Sequence, residues 1–211
     1  AISACEKGWQ WQAALGIARQ ILLLDLDPNV ITYSAIVSAC EKGEQWERAL
    51  WLFREVRRKG LEQELILFSA AISAGGRGQQ WQSAIWLSDE MRQVFVEPNV
   101  VALNAAVSSC ERGLEWARAL GLLAHSTYRR LEPDIVSQNA AISACEKVDR
   151  WDLGLRLLRA TWEIGLEPDA LTHNAVIDAC ARGQRWEWTL QILAAMQQVL
   201  TVRGLGARVA P

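Results

Sequence analysis

The amino-acid sequence predicts an all-α protein, a right-handed solenoid of stacked helix-turn-helix units, and two observations support this fold class. First, tryptophan, cysteine and a basic residue each recur every 35 residues. A fixed period of about 20–50 residues is typical of solenoids and other repeat arrays. Second, each unit contains two stretches with the hydrophobic period of a helix, and we find no alternating pattern of the kind that predicts strands.

Three columns of residues define the period. The tryptophan column consists of Trp11, Trp46, Trp81, Trp116, Trp151 and Trp186. The cysteine column consists of Cys5, Cys40, Cys110, Cys145 and Cys180, with Gly75 in the remaining place. The basic column consists of Lys7, Lys42, Arg77, Arg112, Lys147 and Arg182. Chance does not place three columns at one period, so the 211 residues divide into about six units.

We assign the units as one repeat array over residues 1–204, followed by an unpatterned tail over 205–211. The array begins with a partial unit over residues 1–29 and continues with four clear units, 30–64, 65–99, 100–134 and 135–169. A degenerate sixth unit covers residues 170–204. Because the sequence opens in the middle of the pattern, we expect it to be a piece of a longer protein.

Within the unit that begins at Val30, two helices are predicted. The first runs from Val30 to Lys42 and stops at Gly43, a common residue at helix ends. The second runs from about Gln45 to Arg58, with apolar residues at the i, i+3, i+4, i+7 spacing. The units join at Pro28-Asn29, Pro98-Asn99, Pro133-Asp134 and Pro168-Asp169. Proline ends the old helix, and Asn or Asp caps the next one.

Composition limits the possible functions. The 22 Lys and Arg residues against 24 Asp and Glu residues exclude a generally basic nucleic-acid binder, but they allow a local basic stripe. The longest aliphatic run is far shorter than the ~20 residues of a membrane span, so we expect no membrane partner. No CxxC or HxE motif is present, and we therefore predict no metal site, no cofactor and no enzyme activity. The cysteines are interpreted as small, buried, reduced core residues.

One face of the first helix has the residues of a binding surface. It carries a polar column of Ser34, Ser69, Asn104, Asn139 and Asn174. Beside it lies an aliphatic column of Ile31, Ile66, Val101, Val136 and Leu171, and the face ends at the basic column. An apolar surface, a hydrogen-bonding edge and a cation in every unit match the chemistry of a nucleotide. The basic column is also explained by helix C-terminal capping, but capping does not explain the aliphatic column.

These features resemble pentatricopeptide repeats of the P type. The resemblance rests on the period, the first helix VITYSAIVSACEKG, the ALWLF core of the second helix and the Pro-Asn or Pro-Asp joint. Tetratricopeptide repeats are the nearest alternative, but they are one residue shorter, they bind peptides and their joint differs. The resemblance implies single-stranded RNA binding, one base per repeat, in RNA processing or expression in a chloroplast or mitochondrion.

The resemblance also assigns roles to the columns. Base choice is implied for the polar residue early in each first helix together with the last residue of the unit. These pairs are Ser34 with Glu64, Ser69 with Asn99, Asn104 with Asp134, Asn139 with Asp169, and Asn174 with Gly204. The aliphatic column is implied to sandwich bases, and the basic column to contact phosphates. The third, fourth and fifth units together resemble readers of the core A-U-U.

A second hypothesis is a helical-repeat scaffold for protein partners. It is favoured by the net charge of −2 and by a column of glutamates that sits beside the basic column. This column consists of Glu6, Glu41, Glu111 and Glu146.

Overall fold

The computed structural model describes residues 8, 10–24, 28–61, 64–78, 80–128 and 131–194. Within these ranges it contains ten helices of 13 residues each and a further helical segment over 186–194. The helices are α1 (Trp11–Leu23), α2 (Val30–Lys42), α3 (Trp46–Arg58), α4 (Leu65–Arg77), α5 (Trp81–Gln93), α6 (Val100–Arg112), α7 (Trp116–Tyr128), α8 (Ile135–Lys147), α9 (Trp151–Glu163) and α10 (Ala170–Arg182). The first helix of the second unit has the predicted bounds, and its second helix begins one residue later than predicted.

The predicted joints between units are confirmed as helix caps. The side chains of Asn29, Asn99, Asp134 and Asp169 each accept a hydrogen bond from the backbone N–H three residues later. Such a cap typically stabilises a helix by about 1 kcal/mol. Glu64 holds the same position before α4, but its side chain makes no capping hydrogen bond.

The helices form two layers. The even-numbered helices, which are the first helices of their units, pack against one another in a continuous row. Each odd-numbered helix packs against its neighbours in that row. Side chains such as Arg57 of α3 and Glu90 of α5 also join consecutive odd-numbered helices. The predicted apolar arc of the first helix is buried, including Tyr33, Ile36 and Cys40. The all-α repeat solenoid is therefore confirmed.

The cysteine column belongs to the core. Cys40, Cys110, Cys145 and Cys180 are buried and unbonded to one another, and Cys5 lies outside the described residues. Burial raises the pKa of the Cys110 thiol to about 12 and that of Cys40 to about 11. Since the thiolate is the reactive form of cysteine, these side chains serve in packing.

The tryptophan column forms the contact between consecutive units. Trp46 begins α3, and its indole lies so close to Gly78, just after α4, that a Cβ on this glycine would overlap the ring. The same contact joins Trp11 to Gly43, Trp81 to Gly113 and Trp151 to Gly183. The end of α2 at Gly43 is as predicted, but Gly43 has a φ of −84°. The left-handed residue is Glu44, with a φ of 58°, so the glycine is required for space and not for backbone freedom.

Arginines from the following unit lie over the same indole rings. The Arg48 guanidinium is 4.7 Å from the centre of the Trp11 ring, and that of Arg185 is 5.0 Å from the Trp151 ring. In the fifth unit Val148 replaces the glycine, and Arg150 lies 4.5 Å from the Trp116 ring. A cation over an exposed ring contributes about 0.5–1 kcal/mol. Five members of the tryptophan column are thus half-buried between consecutive units, whereas Trp186 is exposed.

The junction predicts opposite effects for two glycine-to-alanine changes. Gly113→Ala places a methyl group against the Trp81 ring, and overpacking of this kind typically costs about 1–3 kcal/mol of unfolding free energy. Gly121 lies inside α7, and an alanine methyl group there would meet no atom within 4 Å, so Gly121→Ala should stabilise the protein by about 0.5–1 kcal/mol. Urea unfolding measures both, and equal effects of the two changes would contradict the packing role of Gly113.

Candidate nucleic-acid interface

The aliphatic column is exposed in all five units that carry it, the second to the sixth. The exposed fractions are 67% for Ile31, 61% for Ile66, 61% for Val101, 51% for Val136 and 68% for Leu171. The apolar residues on the opposite arc of the same helices are buried. These five aliphatic side chains lie in register on one surface, so each of these units has an exposed apolar area. A surface that binds flat apolar groups needs such an area. Their contact with bases stays a prediction.

The polar column lies at different depths in different units. Asn174 is exposed, Asn104 and Asn139 are half-buried, and Ser34 is buried. Ser34 is deeper than the sequence pattern suggested, and Ser69 at the same position of the next unit is half-buried. The Ser69 hydroxyl is turned to its own helix, where it donates to the Leu65 carbonyl at 2.8 Å.

Two of the predicted reading pairs are in direct contact across a unit boundary. The Nδ2 of Asn104 donates to Asp134 Oδ2 at 2.9 Å. The Nδ2 of Asn139 lies 3.1 and 3.2 Å from the two carboxylate oxygens of Asp169. In the described part of the chain no hydrogen bond joins Ser69 to Asn99 or Ser34 to Glu64. Gly204, the predicted partner of Asn174, lies outside the described residues.

The pair of Asn104 and Asp134 leaves one hydrogen-bond acceptor unsatisfied. An ionised carboxylate only accepts hydrogen bonds, so the amide nitrogen of Asn104 must face Asp134. The Oδ1 of Asn104 is then buried, and within the described residues it has no hydrogen-bond partner. A buried polar group without a partner costs about 1–3 kcal/mol. A ligand N–H can recover this cost only when the Asn104 side chain turns and opens Oδ1 to the groove, because the oxygen is closed to solvent where it lies.

The pair of Asn139 and Asp169 is more fully satisfied. The Thr172 hydroxyl donates to Asn139 Oδ1 at 2.6 Å and also lies 2.9 Å from Asp169 Oδ1. Burial by itself would raise the pKa of Asp169. Hydrogen bonds from the backbone N–H of Thr172 and from Asn139, together with the adjacent Thr172 hydroxyl, outweigh burial and hold this pKa below its usual value.

The basic column is largely paired with glutamates of the preceding unit. Arg77 lies 3.0 Å from Glu41, Lys147 lies 2.9 Å from Glu111, and Arg182 pairs with Glu146. Lys42 also has an interaction partner, and Lys7 lies outside the described residues. Arg112 forms no ion pair in the part of the chain that the structure describes. The sequence showed the glutamate column, but it did not show that Glu41, Glu111 and Glu146 reach the next unit.

Two clefts along the row of first helices differ in charge. A cleft of about 280 Å³ between α4 and α6 is lined by residues that include Arg77 and Arg112, together with Val101 and Asn104. A cleft of about 520 Å³ extends from α6 past α8 to α10. Its lining contains Val136, Asn139 and four acidic residues, Glu111, Glu146, Asp169 and Asp178. The surface is therefore basic near the middle of the chain and acidic further along.

The described residues contain neither a membrane-spanning helix nor a metal-binding cluster. No helix among them has the length and apolar character needed to cross a membrane. Their acidic, cysteine and histidine side chains form no group of three or more that is suited to hold a metal ion.

Asp169 predicts a pH-dependent contribution to stability. Because its pKa is lowered in the folded state, the contribution of the ionised carboxylate is present above the unfolded pKa of about 3.9 and is lost as the pH falls through the folded value. Asp169→Ala should cost about 1 kcal/mol at neutral pH and less at about pH 3. Asp169→Asn is the control, since asparagine caps about as well. Urea unfolding at both pH values measures this, and an equal cost at both would contradict it.

Comparison with known proteins agrees with this architecture. Residues 31–61 match the family model described as PPR repeat, and residues 51–112 match that of the pentatricopeptide repeat domain. No curated protein sequence matches the chain.

Solved structures share the fold at low identity. The crystal structure of pentatricopeptide repeat protein PPR10 from maize matches with a TM-score of 0.66 and 20% identity, covering 93% of this chain and 28% of that one. PPR10 in complex with an 18-nt psaJ RNA element matches with a TM-score of 0.71 and 22% identity, covering 100% of this chain and 33% of that one. The chain thus spans about a third of the length of PPR10.

A third structure is the PPR domain of Arabidopsis thaliana protein-only RNase P 1 in complex with tRNA. It matches with a TM-score of 0.70 and 13% identity, covering 78% of this chain and 86% of that domain. The two family models, which cover residues 31–112, and the 35-residue period show that the chain contains pentatricopeptide repeats, and these solved structures share its fold.

Proposed function

We propose that this chain binds single-stranded RNA along the row of first helices, with one base for each repeat. The observation that carries the proposal is the exposed aliphatic column beside the Asn–Asp pairs. It provides an apolar surface and a hydrogen-bonding edge at the same place in successive units, which is the recurring chemistry of an unpaired nucleotide. The shared fold with PPR10, which was crystallised with RNA, adds support.

The fourth repeat offers a physical reason to prefer uracil. The Oδ1 of Asn104 is unsatisfied because the amide nitrogen is held by Asp134. Asn104 lines the cleft between α4 and α6, so a turn of its side chain opens this oxygen to a base. The Watson–Crick edge of uracil carries an N3–H donor, whereas cytosine has an acceptor at N3. Uracil therefore satisfies Asn104 Oδ1, and cytosine places two acceptors against each other.

The neighbouring repeats complete the proposed core A-U-U. In the third repeat the side-chain oxygen of Asn99 is committed to the backbone N–H of Ala102 at 2.8 Å, so its NH₂ group is the part left for a base. Adenine presents an acceptor at N1 that suits this donor. In the fifth repeat the Thr172 hydroxyl already bonds Asn139 Oδ1, so the preference for uracil should be weaker there than in the fourth.

The biological setting follows from the presence of pentatricopeptide repeats and from no feature of the structure. We place this RNA binding in RNA processing or expression in a chloroplast or mitochondrion, with a binding and not a catalytic role for this segment.

Asp134→Asn tests base reading without loss of the helix cap. Asparagine caps helices about as well as aspartate, so stability should change by only a few tenths of a kcal/mol. Without the carboxylate, Asn104 is free to turn its NH₂ group to the ligand. We expect selection from randomised RNA to shift from U toward C at the middle base of the core.

Asp89→Asn is a matched control, because Asp89 lies on α5, a second helix, and belongs to neither the aliphatic nor the polar column. It should leave the selected sequence unchanged. An unaltered preference in Asp134→Asn would contradict base reading by this pair. Failure of the wild-type chain to bind poly(U) more tightly than heparin would contradict RNA binding itself and favour the protein scaffold.

A further inference from the structure

We propose that Arg112 is the main phosphate anchor of this chain, because Arg77, Lys147 and Arg182 each pair with a glutamate while Arg112 forms no ion pair within the described residues. The inference rests on the proposed RNA binding and goes beyond it. It fixes where along the groove the RNA backbone is held, and it makes the phosphate contacts unequal from repeat to repeat.

The basis is a gap in the column of glutamates. Arg77, Lys147 and Arg182 pair with the glutamate 36 residues earlier. The residue 36 positions before Arg112 is Gly76. With no carboxylate at this place, no acid of the described residues offsets the positive charge of Arg112, and this side chain lines the cleft between α4 and α6.

The packing around Gly76 prevents a glutamate from occupying this position. A Cβ at Gly76 would overlap the Oγ of Ser109. Ser109 is fully buried, and its hydroxyl donates to the Ala105 carbonyl at 2.6 Å. The residues in register with Ser109 in the other described units are alanines, Ala39, Ala74, Ala144 and Ala179. Where the other repeats have a glutamate followed in the next unit by this alanine, the third repeat has Gly76 and the fourth has Ser109. The exchange removes one carboxylate, and the Ser109 hydroxyl fills the space beside Gly76.

The charge of the two clefts points the same way. None of the residues that line the cleft of Arg112 is acidic. The cleft of Val136 and Asn139 is lined by four acidic residues and no basic one. Lys147 and Arg182 neutralise two of these acids, Glu111 and Glu146, but Asp169 and Asp178 remain. A phosphodiester is therefore attracted more strongly to the first cleft than to the second. The RNA backbone is therefore held between the third and fourth repeats, while the bases further along rely on the aliphatic and polar columns.

Unequal effects of charge removal are expected along the basic column. Arg112→Gln removes one unpaired cation and should weaken RNA binding by about tenfold, since a hydrogen bond to a charged group contributes at least about 1.5 kcal/mol. It should also reduce the slope of log affinity against log salt by about 0.7, the value for one phosphate on a single strand. Glu111→Gln together with Lys147→Gln removes a neutral pair and should change affinity less than about threefold.

Two further variants change the pairing itself. Glu111→Gln alone frees Lys147 and should tighten binding while steepening the salt slope. Gly76→Glu together with Ser109→Ala restores the combination found in the other repeats. It should pair Arg112 and reproduce the loss seen with Arg112→Gln. Circular dichroism of each variant checks that helix content and thermal unfolding are retained.

Fluorescence anisotropy with a labelled single-stranded RNA containing A-U-U, at a series of salt concentrations, measures all of these. Glu111→Gln should bind most tightly. Wild type and the neutral-pair variant should bind similarly and less tightly, and Arg112→Gln and the Gly76→Glu, Ser109→Ala double variant should both bind most weakly. Equal losses for Arg112→Gln and the neutral-pair variant, with wild-type binding intact, would overturn the anchor and leave the proposed function standing. Absence of wild-type binding would overturn both.

Discussion

The contact between a tryptophan and the glycine of the next unit, made by Trp11, Trp46, Trp81 and Trp151, is the constraint on which the rest of the structure depends. It joins the start of one second helix to the end of the following first helix. An indole ring is large and rigid, and it lies so close to the glycine that a Cβ there would overlap it. The contact therefore fixes how far each unit is displaced from the one before. The arginine on the ring, where present, comes from the same following unit.

The chemistry of the groove follows from this fixed displacement. An asparagine meets an aspartate 30 residues later, and a glutamate meets a cation 36 residues later. Both contacts cross a unit boundary, so both require the first helices to keep one spacing. The same spacing brings the five aliphatic side chains onto one surface. A solenoid thereby turns small differences between repeats, such as Gly76 in place of a glutamate, into differences in charge at defined places along a groove.

The sequence predicted the elements of the fold because the period, the apolar spacing and the Pro-Asn joint are local signals. Val30–Lys42 and the caps at Asn99 and Asp134 are examples. The exposed aliphatic column was predicted for the same reason, since a helical wheel determines which residues share a face. What the period does not determine is which side chains meet between units. The partner of Trp46, the ion pairs of the basic column and the burial of Ser34 depend on the displacement and rotation between layers. That is a property of packing and not of any single helix.

RNA bound in the proposed way has its bases between consecutive members of the aliphatic column. Crystals of the chain bound to single-stranded RNA with 5-bromouridine in place of the first U of the core test this most directly, because the anomalous signal of bromine locates that base. We expect the signal beside Asn104, between the side chains of Val101 and Val136. A bromine site on the outer layer of second helices, or in the groove but away from Val101 and Val136, would contradict base binding by the aliphatic column.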